Sequence, residues 1–168
     1  MGHHSHRSKA PQSVQIGIIS VSTTRTLETD ESGRWIAEFA GRQGHDVVSH
    51  QVVTDEVDAI RRHTCQLLTD PAPAALIVTG GTGITPQDVT IEALKPLFVK
   101  ELSAFAPLFA QLSFEQIDSA AVLSRATAGV IGRCVVFIIP GSLKACQLAC
   151  QRLIFPELGH ITHHCGDR

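Results

Sequence analysis

Hydrophobic positions along this chain alternate between short unbroken runs and stripes at helical spacing. The runs at residues 14–21, 46–53 and 74–78 are rich in valine and isoleucine and have the length of buried strands. Between them, apolar residues in 35–40 and 57–68 recur every three or four positions, as on one face of a helix. The first half of the chain therefore predicts strand, helix, strand, helix, strand. That order is typical of a parallel sheet covered by helices on both faces.

The second half continues this alternation less regularly. We predict a short helix broken by Pro96, a longer helix bent at Pro107, a strand or hairpin, a buried strand and a last long helix, over residues 90–98, 102–117, 121–130, 134–139 and 142–155 in that order. Neither an internal repeat nor a linker interrupts the pattern. Residues 13–168 are therefore expected to form a single domain.

Local signals set the expected ends of the first two helices. The first should begin after Asp30 and end near Gly44, since aspartate caps helix starts and glycine favours helix ends. Asp55 is a good N-cap for the second helix, which Pro71 and Pro73 should close.

Length and composition agree with one folded domain. The 168 residues, of mass 18.1 kDa, are enough to bury a single core without disulfides or a structural metal. Hydrophobic residues make up 43% and charged residues 18%, which excludes a disordered or collagen-like chain. Residues 1–12 are basic and polar and lack the apolar stretch of a signal peptide, so we expect a disordered tail. No run approaches the roughly 18 apolar residues of a membrane span, which predicts a soluble protein.

Charge and cysteine usage indicate the environment. A net charge of −2 argues against a general attraction to nucleic acid or to an anionic membrane, so neither is expected as a partner. The five cysteines are odd in number and widely spaced, unlike a secreted disulfide framework. We therefore expect free thiols and a cytoplasmic protein.

Small, polar or glycine-rich segments follow four of the predicted strands. They are residues 20–22, 54–55, 79–83 and 140–142. Because the carboxyl ends of parallel strands meet at one edge of a sheet, these segments should converge there. A ligand site is expected at that edge.

The glycine loop, residues 79–83, is the sharpest local feature. Three glycines in five residues let the backbone approach a ligand, take positive φ and aim N–H groups at an anion. Threonine hydroxyls add donors, and the helix expected from Thr90 turns its positive end toward the loop. A phosphate-bearing ligand is expected; the alternative is that the glycines serve only a tight turn.

Two familiar phosphate motifs do not fit this loop. A Walker loop needs lysine and then serine or threonine after its last glycine, whereas Ile84 and Thr85 follow Gly83. A dinucleotide fingerprint needs glycine or alanine where Pro86 stands, and it follows the first strand rather than the third. The loop is therefore neither of these.

Two aspartates are candidate metal ligands near the same edge. Asp88 lies five residues beyond Gly83, and a carboxylate beside a bound phosphate repels it unless a cation lies between them. Phosphate binding would therefore imply Mg²⁺ at Asp88, with Asp55 as a second candidate ligand. For each aspartate, the alternative is a role as a helix N-cap.

The roles of several further polar residues stay open. Ser124, Arg125 and Lys144 could serve an anion site or lie solvated on the surface. Residues 160–165 contain three histidines and a cysteine, which are metal-ligand types, but the segment is terminal and lacks a second ligand pair. A metal site there is not favoured.

Several segments together resemble the MoaB/MogA family of molybdenum-cofactor biosynthesis proteins. The most specific is the glycine loop followed by Asp88-Val89-Thr90 and Glu92-Ala93. The others, in chain order, are Ile19-Ser20-Val21-Ser22, Asp30-Glu31-Ser32-Gly33, Leu123-Ser124-Arg125-Ala126, Ala128-Gly129 and Pro140-Gly141-Ser142 with Lys144-Ala145. The resemblance covers residues 14–158, and residues 112–115 are more similar to the MoaB branch than to MogA.

The resemblance implies a fold, an assembly and an activity. The fold would be a three-layer α/β/α domain with a mostly parallel central sheet, and the chain would assemble as a homotrimer or homohexamer. The activity would be Mg²⁺-dependent transfer of AMP from ATP to the terminal phosphate of molybdopterin, with release of pyrophosphate. The adenylylated product would pass to a molybdenum-insertion protein.

Functional residues follow from the resemblance by position. Asp55 and Asp88 would be the two acidic residues needed for adenylyl transfer, acting through Mg²⁺. The ligand would be bound by Ser20, Ser22, Thr79, Gly80, Gly81, Thr82, Gly83, Pro140, Gly141, Ser142 and Lys144.

The chain departs from the family pattern at two positions. Gln87 stands where the family often has arginine, which removes a cation from a phosphate site, and Ala104 replaces a usual glycine. Two alternatives to the adenylyltransferase therefore stay open. One is a non-catalytic molybdopterin-binding or scaffold protein of the same fold; the other is a nucleotide-binding regulator that binds ATP without a pterin.

Overall fold

A computed structural model describes residue 11 and residues 13–166 of the chain. The tail expected over residues 1–12 thus lies outside the described residues, apart from residue 11. The described strands form one six-stranded sheet in the order β2-β1-β3-β6-β5-β4. Their bounds are β1 Gln15–Val21, β2 Asp46–Val53, β3 Ala75–Thr79, β4 Lys100–Glu101, β5 Thr127–Ile131 and β6 Cys134–Ile139.

Four neighbouring strands, β2, β1, β3 and β6, run parallel. Ile18 of β1 lies opposite His50 of β2 on one side and Ile77 of β3 on the other. The chain moves outward from β1 to β2 and then back across β1 to β3, so the winding of the sheet reverses between β1 and β3. In open sheets of this kind, ligands bind outside the carboxyl ends of the strands at such a reversal.

Helices cover both faces of the sheet, which produces three layers. Their bounds are α1 Glu31–Arg42, α2 Val57–Thr69, α3 Thr90–Leu94, α4 Phe105–Ile117, α5 Leu143–Ala149 and α6 Leu158–Gly166, with 3₁₀ turns at Lys95–Leu97 and Asp118–Leu123 and a π turn at Cys150–Ile154.

The apolar core lies in two layers, one on each face of the sheet. On one face, α1, α4, α5 and α6 pack against residues that include Ile18 and Phe137. On the other, α2 and α3 pack against residues that include Ile19 and Ile138. Successive strand residues point to opposite faces, so fully buried strands read as continuous apolar runs. The predicted α/β fold with a mostly parallel central sheet is confirmed.

The predicted strands agree with the structure to within a residue or two, but residues 121–130 differ. Their first part belongs to the 3₁₀ turn Asp118–Leu123, and only β5 is a strand, antiparallel to β6. Ile131 pairs with Cys134, which leaves a two-residue turn in which Gly132 has φ of 62°. So short a connection can join only antiparallel strands.

Two predicted features of the helices are wrong. α2 begins at Val57 with Glu56 as its N-cap residue, so Asp55 is not the cap of that helix. α4 begins at Phe105, which places Pro107 in the first helical turn, where its missing N–H costs no hydrogen bond and no bend is needed.

The last predicted helix is shorter than expected. Ser142 caps α5, but after Ala149 the helix widens into the π turn Cys150–Ile154. Two further elements are not predicted by the sequence pattern: β4, which is two residues long, and α6, which packs on the core through Leu158.

No helix within residues 13–166 combines the length and the apolar character that crossing a membrane requires. All five cysteines are free thiols.

Candidate functional site

A cleft of about 350 Å³ opens at the carboxyl ends of β1, β3 and β6, beside the reversal between β1 and β3. Three of the four strand ends that the sequence singles out meet there. The lining residues are Val21, Ser22, Thr24, Arg25, Gly80, Gly81, Thr82, Gly83, Asp88, Leu123, Ser124, Pro140 and Gly141.

Two glycines of the loop take backbone conformations that other residues rarely adopt. Gly80 has φ of 97° and Gly81 has φ of 62°. A Cβ atom on Gly80 would collide with the Val21 carbonyl oxygen, and one on Gly81 would collide with Thr90 Oγ1. The glycines are therefore required by the close packing of this loop against β1 and α3.

Thr90, the first residue of α3, holds the glycine loop in place. Its Oγ1 donates to the Gly80 carbonyl oxygen over 2.8 Å, and its N–H donates to the Gly81 carbonyl oxygen over 2.9 Å. Within the described part of the chain, the N–H groups of Gly81 and Thr82 have no hydrogen-bond acceptor. The loop therefore presents two unused donors on a fixed backbone, as an anion site requires.

Asp88 lines the cleft beside this loop. Its Oδ2 accepts hydrogen bonds from Thr85 N–H (2.9 Å) and Thr85 Oγ1 (2.7 Å). The Thr85 hydrogen bonds, with help from the Gly83 N–H and the charge of Arg125, hold the pKa of Asp88 below its ordinary value despite slight burial. The N-cap of α3 is Val89, so Asp88 is not the helix cap that was its alternative role.

Arg125 supports the loop from behind. Its Nη1 donates to the Gly83 carbonyl oxygen over 2.8 Å, and its Nη2 pairs with Glu92. Burial opposes ionisation of Glu92, but the Arg125 contact outweighs burial and lowers the pKa of that carboxyl. Arg125 therefore positions the glycine loop rather than lining the cleft.

Arg25 is a cleft residue that the sequence reading missed. Ser22 Oγ accepts hydrogen bonds from the N–H groups of Thr24 (3.3 Å) and Arg25 (3.2 Å), which turns the chain after β1. Arg25 Nη1 then reaches the Gly141 carbonyl oxygen, 3.2 Å away. An arginine in the polar stretch directly after the first strand was the available signal, since that stretch must lie at the ligand edge of the sheet.

The third wall of the cleft is the turn after β6. A Cβ atom on Gly141 would lie 3.0 Å from Gly80 Cα, so the two glycine turns touch. Ser32 Oγ, near the start of α1, donates to the Gly141 carbonyl oxygen over 2.9 Å. This turn is therefore fixed from two sides, by Ser32 and by Arg25.

A buried cluster anchors the start of α1 beneath the cleft. Asp30 is fully buried; its Oδ1 accepts the Gly33 N–H (3.1 Å), and its Oδ2 lies 2.8 Å from His50 Nε2. Burial opposes ionisation, but the contacts with His50 and Gly33 outweigh it and lower the pKa of Asp30 to about 2. A Cβ atom on Gly33 would collide with Asp30, His50 and Ser20 together, which explains the glycine.

Eight of the thirteen residues carried over from the resemblance line the cleft; they are Ser22, Gly80, Gly81, Thr82, Gly83, Asp88, Pro140 and Gly141. Two others are structural beneath it: Ser20 is buried by α1, and Thr79 Oγ1 donates to the Pro140 carbonyl oxygen over 3.0 Å. Ser142 is the N-cap of α5, where its Oγ accepts the Ala145 N–H.

Lys144 and Asp55 lie outside the cleft. Lys144 lines a separate cavity of about 410 Å³ beside α4 and α5. Asp55 follows β2 at the same edge of the sheet, one strand away. An adjoining cavity of about 490 Å³, which shares Ser22 and Arg25 with the cleft, extends to Thr54, next to Asp55.

The donors present suit a magnesium ion only in part. Within residues 13–166, no group of three or more histidine, cysteine, aspartate or glutamate side chains could hold a metal ion. Asp88 uses Oδ2 for the loop and leaves Oδ1 for a ligand. One carboxylate oxygen completed by substrate phosphates and water is a common arrangement for Mg²⁺, so Asp88 fits such an ion when phosphate is bound.

Comparison with known proteins agrees with this architecture. Residues 17–160 match the family described as "Probable molybdopterin binding domain". Molybdenum cofactor biosynthesis protein B of Bacillus subtilis is 46% identical over 162 residues, which are 96% of this chain and 95% of the relative.

Two solved structures share the whole fold. A crystal structure of molybdenum cofactor biosynthesis protein B superposes with a TM-score of 0.90 at 44% identity, covering 94% of this chain and 98% of the other. The tungsten cofactor synthesizing protein MoaB of Pyrococcus furiosus gives a TM-score of 0.84 at 36% identity, covering 94% and 100%. With its glycine loop, its sheet order and these relatives, the chain belongs to the MoaB branch of the MoaB/MogA family of molybdenum-cofactor biosynthesis proteins.

Proposed function

We propose that this protein binds molybdopterin at the cleft and transfers AMP from ATP to the terminal phosphate of molybdopterin. The observation that carries this assignment is the glycine loop: Gly81 and Thr82 line the cleft together with ionised Asp88, and their N–H groups have no acceptor among the described residues. A family relationship to molybdopterin-binding domains supports the choice of ligand.

The terminal phosphate of molybdopterin would lie against the glycine loop. The two free N–H groups, the Thr82 side chain and Arg25 would hold its charge, and the rigid backbone needs no rearrangement on binding. Asp88 would repel the phosphate unless a cation lies between them, so its position favours Mg²⁺, held by Asp88 and the phosphates. A bound Mg²⁺ would supply charge neutralisation between the phosphate groups.

The reaction would be an in-line displacement. A phosphate oxygen of molybdopterin attacks the α-phosphorus of ATP, the new P–O bond forms, and pyrophosphate leaves as the bond to the β-phosphate breaks. No side chain need form a covalent bond, because catalysis comes from positioning and electrostatics.

The adjoining cavity gives room for the second substrate. It shares Ser22 and Arg25 with the cleft and reaches Thr54, so a substrate that occupies both spaces would come close to Asp55. Asp55 would then act with Asp88 on the transferred group, from the opposite side of β1. Ser20, Thr79 and Ser142 would contribute by supporting the walls of the cleft.

The decisive experiment measures product formation. Purified protein is mixed with Mg·ATP and molybdopterin, and release of pyrophosphate and adenylylated molybdopterin is followed. We expect both products in equal amounts, and neither when molybdopterin is omitted. Molybdopterin binding without pyrophosphate would contradict the transferase and support the second candidate, a non-catalytic pterin-binding protein, which the position of Asp55 outside the cleft favours.

The exposed apolar side chains of the segment from α4 to the following 3₁₀ turn support an assembly. Leu108, Phe114, Val122 and Leu123 are each at least 47% exposed, whereas Phe109 of the same helix lies in the core. Such a surface is typical of subunit contacts. A homotrimer or homohexamer is proposed, and light scattering should give three or six times the 18.1 kDa of one chain. A stable monomer at micromolar concentration would contradict it.

A further inference from the structure

Two histidines on the last helix form a pair that the cleft does not use. His160 and His164 lie four residues apart on α6, and therefore on one face of it. Their Nε2 atoms are 3.0 Å apart, with ring centroids 4.7 Å apart. Both line a separate cavity of about 540 Å³, which is also lined by residues of β4.

The neighbouring glutamate sets which nitrogen of His160 is available. Glu157 Oε2 lies 3.3 Å from His160 Nδ1, on the opposite side of the ring from His164. A proton on Nδ1, directed at the carboxylate, leaves the Nε2 lone pair facing His164. Carboxylates orient metal-binding histidines in the same way, through the ring nitrogen that does not bind the metal.

The helix that presents this pair is fixed to the domain. Leu158 is fully buried in the core, and Ile161 packs against the same core. At the other end of α6, Arg133 Nη2 donates to the Gly166 carbonyl oxygen over 2.6 Å. The two imidazoles therefore start from positions that need only side-chain rotation to converge on one point.

We propose that His160 and His164 bind a divalent first-row transition-metal ion through their Nε2 atoms. When a metal ion lies about 2.0–2.1 Å from two imidazole nitrogens, the nitrogens are about 2.9 Å apart if the nitrogen–metal–nitrogen angle is a right angle. They are about 3.4 Å apart if that angle is tetrahedral. The observed 3.0 Å is close to the first value. The spacing therefore suits square-planar or octahedral ions, such as Ni²⁺ or Cu²⁺, better than tetrahedral Zn²⁺.

Among the described residues, none completes the coordination of such an ion, so water would fill the other positions. Within residues 13–166, no third histidine, cysteine or carboxylate completes a cluster. Charges near the pair are mixed: Lys100 lines the cavity and opposes a cation, Glu157 favours one, and Glu101 is paired with Lys95 over 2.8 Å. Binding rests on the two imidazoles, since the nearby charges largely offset one another.

Calorimetric titration of the full-length protein with Ni²⁺ tests this site. Because His3, His4 and His6 would also bind Ni²⁺, all variants carry glutamine at those three positions. We expect one Ni²⁺ per chain, and an affinity at least about tenfold lower in His164→Gln and in His160→Gln. Glu157→Gln should weaken binding by about tenfold, the lower end of the range for losing a carboxylate that orients a ligand.

His163→Gln is the matched control, because it makes the same change on the same helix and keeps both facing imidazoles, although the His163 ring lies 5.9 Å from that of His164. It should leave Ni²⁺ affinity unchanged, and circular dichroism should show that every variant folds. Absence of Ni²⁺ binding in the parent protein, equal affinity in parent and His164→Gln, or an equal loss in His163→Gln would each overturn the assignment.

Discussion

The glycine loop after β3 and the Thr54–Asp55 segment after β2 follow equivalent strands and reach the same edge of the sheet. Only the glycine loop lines the cleft. It packs against β1 on one side and against the β6 turn on the other, through Val21 and Gly141. The segment after β2 has β1 as its one neighbouring strand.

The difference shows that strand order, rather than residue type, decides which strand end becomes a binding surface. The winding reverses between β1 and β3, so the loops there diverge and leave a crevice. β2 lies on the far side of β1 from that crevice. Its contribution to the cleft is indirect: His50 pairs with Asp30 at the start of α1, and Ser32 in the first turn of that helix holds the Gly141 turn.

The largest expected effect comes from removing a carboxylate at each of the two strand ends. Asp88→Asn and Asp55→Asn should each lower adenylyl transfer by at least about a hundredfold, the scale of losing a preorganised electrostatic contact. Asparagine preserves size and hydrogen bonding, so both variants should fold. Turnover is measured as pyrophosphate release.

Molybdopterin titration of the same two variants separates the strand ends. Affinity should be unchanged in Asp55→Asn, and unchanged or slightly higher in Asp88→Asn, because one carboxylate near the phosphate loses its charge. Wild-type turnover in Asp88→Asn would show that this residue only folds the loop. Wild-type turnover in Asp55→Asn would show that Asp55 takes no part in the reaction and that the residues of the cleft are sufficient for it.

The indirect role of β2 predicts a pH-dependent loss of stability in Asp30→Asn. Asp30 has a pKa of about 2 in the folded protein, below its unfolded value, so its charge stabilises the fold above about pH 4 and ceases to do so as pH falls toward 2. From that shift, the variant should lose about 2 kcal/mol of unfolding free energy at pH 7. Urea unfolding of both proteins at pH 7 and pH 2.5 measures the difference, which should shrink at the lower pH. A constant difference would mean that packing, not charge, is responsible.

Two glycines with the same φ provide the next test. Gly81 and Gly132 both have φ of 62°, but a Cβ on Gly132 meets nothing within 4 Å, whereas one on Gly81 collides with Thr90. Gly81→Ala should lower molybdopterin affinity tenfold or more, about 1.4 kcal/mol, because the loop must shift. Gly132→Ala also places alanine at a positive φ and should leave affinity unchanged. Equal affinities in the two variants would show that the glycines of the loop serve only the turn.

The smallest expected effect concerns Arg25, which lines both the cleft and the adjoining cavity. Its guanidinium is exposed, so Arg25→Gln should lower molybdopterin affinity about threefold to fivefold, as for a solvent-screened ion pair. Arg62→Gln, on the exposed face of α2, is the control and should have no effect. A loss above a hundredfold would make Arg25 a principal phosphate ligand.

The sequence predicts most of the fold because buried parallel strands are visible as apolar runs. The strand predicted at residues 134–139 coincides with β6, and the predicted 46–53 coincides with β2. β4 is not predicted because its two exposed residues show no alternation of apolar and polar positions. The π turn is not predicted because widening a helix leaves its apolar stripe intact. The direction of β5 follows from a turn at Gly132 that the sequence reading did not identify.

The glycine loop and the β6 turn could be placed at one site from sequence because each directly follows a strand, and Asp88 because it lies only five residues beyond Gly83. The sequence could not exclude Lys144 from the site, since the direction of its side chain depends on its position around α5 rather than on strand order. The role of Arg125 was equally hidden, because its partners, the Gly83 carbonyl and Glu92, are distant in sequence.

The contact between Gly80 and Gly141 should couple two turns that are distant in the sequence, so that a substitution in one limits what the other can accept. A Cβ at position 141 would press on the backbone of position 80, with no side chain there to yield. Random mutagenesis should therefore accept alanine at position 141 only together with changes in the loop after β3. Such epistasis would link two positions that are 61 residues apart in the sequence. A library that randomises the two turns separately would therefore miss the functional combinations.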